Sequence, residues 1–128
     1  MAGSVTVTYA SHALNSMKKL KQVNVAWTAD AEDASVPDTT LSNLKGYLVK
    51  AITNPGSTAP TADYDIKLLD AADATADAAN AILIDRHTST TEVKMFDPPL
   101  LLAGDYTFNV TNNSVNSATG VLILFIEE

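Results

Sequence analysis

Apolar and polar residues alternate with a period of two along much of this chain. Val5, Val7 and Tyr9 alternate with Ser4, Thr6 and Thr8, and Val23, Val25 and Trp27 with Gln22, Asn24 and Ala26. Such alternation marks strands that bury one face. The polar stretch 11–16 between them reads as a turn. Residues 29–38 (ADAEDASVPD) are small, acidic and proline-ended, and read as an exposed loop. Residues 39–53 contain one strand, with Tyr47, Val49 and Ala51 on one face and Leu48 and Ile52 on the other. Gly46 within it marks a bulge or a close approach of backbones. The connector Asn54-Pro55-Gly56 to Ala59-Pro60-Thr61 is a long surface loop. Beyond it Tyr64, Ile66 and Leu68 oppose Asp63, Asp65 and Lys67 in another strand.

After Asp70 the alternation stops. AADATADAANAIL is rich in alanine, the best helix former, and predicts a short helical or irregular segment near residues 71–83. Thr91, Val93 and Met95 then alternate with Glu92, Lys94 and Phe96. Asp97-Pro98-Pro99 ends that strand, because proline brings no ladder donor. Tyr106, Phe108 and Val110 share one face of a further strand, and residues 112–120 form a polar turn region. The closing run VLILFI has no polar alternation, which implies cover on both faces, from a central place in a sandwich or from another subunit. Seven or eight strands at this spacing predict one antiparallel β-sandwich domain over residues 1–128. The expected arrangement is jelly-roll-like, with an immunoglobulin-like strand order as the alternative.

Composition narrows the function classes. The chain has 128 residues, one domain's length, and a net charge of −7 from 15 acidic and 8 basic residues. An acidic surface repels phosphate backbones and anionic headgroups, so neither nucleic acid nor membrane is an expected partner. Cysteine is absent, which excludes disulfides and thiolate metal sites. VLILFI is far too short to span a bilayer. The N-terminal residues lack the basic and apolar regions of a secretory signal, so synthesis without a cleaved leader is expected.

Candidate chemistry is sparse. His12 and His87 have no partner at a metal or catalytic spacing, and no G-x-S-x-G elbow occurs. Asp30, Glu32 and Asp33, then Asp63 and Asp65, then Asp70, Asp73 and Asp77 cluster in sequence, but none follows the calcium-loop pattern. Trp27, Tyr64, Tyr106 and Phe108 lie on apolar strand faces, where core packing accounts for them. No catalytic, cofactor or metal residues are expected, and no enzyme activity. The candidates are for contact instead. Lys18, Lys19 and Lys21 form a small basic cluster suited to an acidic surface on a partner. Asn54, Pro55, Gly56 and Pro60 are ordinary turn chemistry or an arm that grips a neighbouring subunit. Leu100, Leu101 and Leu102, with VLILFI, are candidate buried subunit contacts or part of the chain's own core.

The segment TNPGSTAPTADYDIKLLD resembles a pattern in small virion structural proteins of tailed bacteriophages and prophages, where a strand ends in T-N-P-G, an A-P-T loop follows, and a Y-D-I or W-D-V strand begins. The resemblance covers Thr53 to Gly56, Ala59 to Thr61 and Tyr64 to Leu68, with Arg86 and the stretch from Tyr106 to Ile126 fitting as well. The segment rich in glycine in that group is alanine-rich here, at Ala71 to Ala81, and residues 29–38 have no counterpart. The resemblance implies a capsid decoration or cement protein at the capsid surface of a virion, made in the host cytoplasm. It implies a passive homo-oligomer, expected as a homotrimer, bound to the major capsid protein of the phage head. A carbohydrate- or receptor-binding module of a head fibre, neck or tail is the alternative, and it requires aromatic side chains exposed together.

Overall fold

The structure is a computed structural model that describes residues 2–13, 18–62, 64–70, 81–86 and 91–128, with residues 70 and 81–86 as backbone alone. Among the described residues seven strands follow in order: β1 (Ser4–Ala13), β2 (Lys19–Thr28), β3 (Thr39–Pro55), β4 (Tyr64–Asp70), β5 (Ala81–Arg86), β6 (Glu92–Thr111) and β7 (Thr119–Glu127). All pair antiparallel in one open sheet of order β1-β2-β7-β3-β6-β4-β5. The expected all-β, antiparallel architecture is therefore present. Three of the pairs nest in sequence, β2 with β7, β3 with β6 and β4 with β5, as in one long hairpin wound upon itself.

The sheet is not flat. Trp27 on β2 and Tyr64 on β4 have ring centroids 5.8 Å apart, although β7, β3 and β6 lie between their strands in the sheet. Strands are spaced about 4.8 Å apart, so a flat sheet would hold those rings roughly 19 Å from each other. The sheet must fold over, and the long strands β3 and β6 do the folding. Their pairing breaks twice. At the first break Ser42 and Asn43 oppose Asp105 alone. Asn43 has a positive φ of 58°, and its N–H donates to the Asp105 carboxylate at 2.8 Å. At the second break Val49 opposes residues 96–99, which include both adjacent prolines. Bulges of this kind bend and twist a strand.

The concave side holds the core. Val23, Val25 and Trp27 of β2, Leu41, Leu44, Leu48 and Ala51 of β3, Tyr64, Ile66 and Leu68 of β4, Leu102, Phe108 and Val110 of β6, and Leu122, Leu124 and Ile126 of β7 are all buried in one cluster. Gly46 crosses the end of β7 with φ +122°. A side chain there would strike the Glu127 carbonyl and lie 3.1 Å from Ile126 Cγ2. Gly46 is thus a close approach of backbones.

Several sequence expectations need correction. His12 lies on β1, because the hairpin ladder with β2 runs unbroken to Ala13–Lys19 rather than turning at residue 11. The bulge at Val49 reverses strand parity, so Leu48 and Ala51 point inward while Tyr47, Lys50 and Ile52 point outward. A one-residue shift moves every later side chain to the other face. Asp97-Pro98-Pro99 interrupts the ladder but does not end β6, which resumes pairing at Leu100. Residues 81–83, expected in a helical or irregular segment, are strand β5, because their backbones pair with residues 67–69 of β4. The remainder of that segment, residues 71–80, lies outside the described residues.

Candidate functional site

The convex face of the sheet carries the most unusual chemistry in the molecule. Its rows can be followed across strands from the register. One row runs Asn24, Ile123, Ile52, Val93 from β2 through β7 and β3 to β6. The next runs Gln22, Phe125, Lys50, Met95, and a third Leu20, Glu127, Tyr47, Leu101. Ala26, Val121 and Asn54 continue the face on the other side. Among these side chains only Lys50 and Glu127 are charged. The Lys50 ammonium lies 5.4 Å from the centre of the Phe125 ring, and Glu127 is paired with Lys18 at 3.1 Å. Tyr47 is 51% exposed, Val93 53%, Met95 65% and Leu101 66%. Val121, Ile123 and Phe125 are half-buried between neighbouring strands. A solvated sheet face ordinarily alternates to polar residues. This one does not.

The candidate contact residues fall in different places. Leu100 and Leu101 are exposed, but Leu102 is 2% exposed and belongs to the core. It cannot form a surface contact, because it faces inward opposite Gly46. Asn54 is exposed and accepts a hydrogen bond from Thr91 Oγ1 at 2.9 Å. Pro55 is half-buried at the end of β3, and Pro60 is buried.

The connector 56–62 does not behave as a free arm. The Gly56 N–H donates to the Thr119 carbonyl at 2.8 Å and the Thr119 N–H to the Thr58 carbonyl at 2.8 Å. Thr61 N–H donates to Asn113 Oδ1 at 3.1 Å. Asn113 also accepts from the Val115 N–H and donates to the Ala34 carbonyl at 3.0 Å, so one side chain ties three loops together. Asn113→Ala is expected to destabilise the protein by about 1–3 kcal/mol, since partly buried backbone groups lose their partner. The shift of a urea unfolding midpoint measures it; an unchanged midpoint would mean the loops hold without this side chain.

Lys18 and Lys19 are exposed and Lys21 half-buried at the turn end of the β1–β2 hairpin, where Ala13 pairs with Lys19. The Lys21 ammonium lies 5.0 Å from the centre of the Tyr9 ring, and the Lys19 carbonyl accepts from the Glu128 N–H at 3.0 Å. From Thr8 to Ala13 every residue of β1 is exposed. His12 Nε2 lies 2.9 Å from Gln22 Oε1, and His87 is outside the described residues. Trp27, Tyr64 and Phe108 are buried, while Tyr106 is half-buried and its hydroxyl accepts from the Ala103 N–H at 3.1 Å. The exposed aromatics Tyr9 and Tyr47 stand on opposite faces of the sheet, so they build no common platform.

The acidic loop 29–38 is held by its own turn chemistry. Asp30 Oδ1 accepts from the N–H groups of Glu32 and Asp33, and Asp33 Oδ1 from the N–H and hydroxyl of Ser35. The Ser35 hydroxyl and then its backbone N–H hold the Asp33 carboxyl below its ordinary range. Among the described residues no group of three or more His, Cys, Asp or Glu side chains is placed to hold a metal ion. Comparison with protein-family models, with curated proteins and with solved structures returned no match.

The sequence pointed toward this face through Leu101, one of the candidate contact residues, and through VLILFI. Val121, Ile123 and Phe125 were legible there as residues needing a cover. Tyr47, Ile52, Val93 and Met95 were not, because no local signal tells which parity of a strand faces out.

Proposed function

We propose that the protein is a virion structural protein of a tailed bacteriophage, a capsid decoration or cement protein that strengthens the head by burying surface. The observation that carries this reading is the apolar, nearly uncharged convex face. Interfaces are distinguished by a core depleted of charge and enriched in aromatic residues and methionine, and this face has that composition in a chain of net charge −7. The nested pairs β2·β7, β3·β6 and β4·β5, together with the folded-over sheet, support reading the domain as a jelly-roll-like β-sandwich. The resemblance of Thr53 to Leu68 to small virion proteins supports the setting.

In this reading the protein acts without catalysis, as a homotrimer at three-fold positions of the capsid surface, where a closed ring matches the lattice. The major capsid protein is the partner. Each stable contact buries on the order of 1,000 Å² or more, and binding that the folded shell alone offers raises the shell's resistance to heat. The basic hairpin end, with Lys18 and Lys19 exposed, meets an acidic patch on the shell.

Heating purified capsids with and without the protein tests the reading. Decorated capsids are expected to open at a temperature several degrees higher. Equal opening temperatures at saturating protein would refute the cementing role.

A further inference from the structure

We infer that the convex face of β7, β3 and β6, with β2 beside them, is the surface through which copies of this chain associate, sheet against sheet. The inference deepens the proposed function by naming what covers this face, but its physics needs no capsid.

Size favours it first. Four strands carry the apolar rows, β2, β7, β3 and β6. At about 4.8 Å per strand and 3.4 Å per residue over the length of β7, the face measures roughly 19 by 31 Å, or about 600 Å². Stable interfaces begin at about 1,200 Å² in total, or about 600 Å² from each partner. The face is therefore of the size that a small sheet-on-sheet contact requires.

Charge argues for a second copy rather than a partner of different chemistry. Two chains of net charge −7 repel each other over most of their surfaces. On the rows described, the one carboxylate is Glu127, and Lys18 already neutralises it. Two such faces bring together no carboxylate without a cation beside it and one lysine each, Lys50, whose ammonium already lies over the Phe125 ring, while an acidic or basic partner would find little there to pair with. The side chains suit sheet stacking: Ile123, Ile52 and Val93 form one continuous branched row, and Phe125 and Met95 flank the Lys50 stem in the next.

The pattern of β7 supplies the third argument. Gly120, Leu122, Leu124 and Ile126 are buried in the chain's own core, whereas Val121, Ile123 and Phe125 face outward. An unbroken apolar strand belongs in a sheet covered on both sides, and the described chain covers one.

Sedimentation equilibrium of the isolated protein tests the inference. The wild-type chain is expected to form a closed assembly of at least two 13.5 kDa chains at micromolar concentration. Val93→Lys combined with Met95→Lys places two charges on the face at positions more than half exposed, so the fold is expected to be kept, as checked by circular dichroism. Association should weaken at least about tenfold, which corresponds to about 1.4 kcal/mol or more. Leu101→Lys, at another exposed position of the face, is the second variant should the first fail to fold. A monomeric wild-type chain would overturn the inference, as would an assembly that survives both variants. A monomer that still stabilises capsids would leave the cementing role standing without its trimer, and this inference refuted. An assembly that dissociates in the variants but has no effect on capsids would do the reverse.

Discussion

Trp27→Ala is expected to destabilise the protein by about 3–5 kcal/mol, the range for removing a large buried aromatic. Trp27 is 2% exposed. Its ring meets Tyr64 at 5.8 Å with the planes tilted by 55°, a geometry favoured by aromatic pairs. The contact joins β2 to β4, strands that the sheet itself keeps four places apart. The truncation therefore opens a cavity where the two folded-over parts of the sheet meet. Against a total stability of about 5–15 kcal/mol, such a loss is a large fraction of the whole. Trp27 is the one tryptophan, so circular dichroism rather than fluorescence must follow the unfolding. A loss below about 1 kcal/mol would show that this contact does not hold the folded-over sheet together.

Gly120→Val is expected to cost about 3 kcal/mol or more, beyond the usual penalty of a slightly overfilled core. A Cβ at Gly120 would lie 2.6 Å from Trp27 Cζ2 and 2.8 Å from Cε2. The indole cannot withdraw, because Tyr64 stands against it. Gly120 and Trp27 are also direct partners in the β2–β7 ladder, so relief by local backbone movement would break strand pairing at the start of β7. The two sites should be strongly coupled. In a Trp27→Ala background the cost of Gly120→Val should fall by about 1–3 kcal/mol, the range measured for residues in contact. A double-mutant cycle from denaturant midpoints gives that number directly. Additive effects would mean that the ring does not dictate glycine at this position.

Gly120 shows how unevenly the fold could be read in advance. In the sequence it is the last residue of a polar turn region, an unremarkable place for glycine. Its reason is a ring 93 positions away in the chain, reachable only once β2 and β7 are neighbours. Gly46, by contrast, carried a local signal, a glycine inside an alternating run, and it does mark a close approach to the end of β7. Trp27, Tyr64 and Phe108 were legible as core because each stands in period with apolar neighbours. The side of β3 was misread beyond Leu48, because a single bulged residue at Val49 leaves no clear trace in composition yet exchanges inside for outside.

The contact candidates divide in the same way. Leu101 and Leu102 are chemically identical and adjacent. Opposite pleats send one to solvent and the other to the core. Pro60 has the sequence of a protruding loop, but the Asn113 side chain and the Thr119 backbone draw its neighbours onto the body. Asn113 itself looked like turn composition, and the three loops it joins are separated by up to 79 positions.

By itself, the sequence determined that this protein is built of antiparallel strands with a single core, that it carries an acidic surface, and that one strand is apolar on both sides. These follow from period-two patterning and from charge, which are properties of residues close together in the chain. The tertiary structure alone decided that one sheet folds over at bulges in β3 and β6, that Trp27 reaches Tyr64, and that the spare apolar side of β7 joins Ile52, Val93 and Met95 in one nearly uncharged face. Those outcomes depend on strand order and register, which are set by long-range pairing and change sides whenever a single residue is inserted into a ladder.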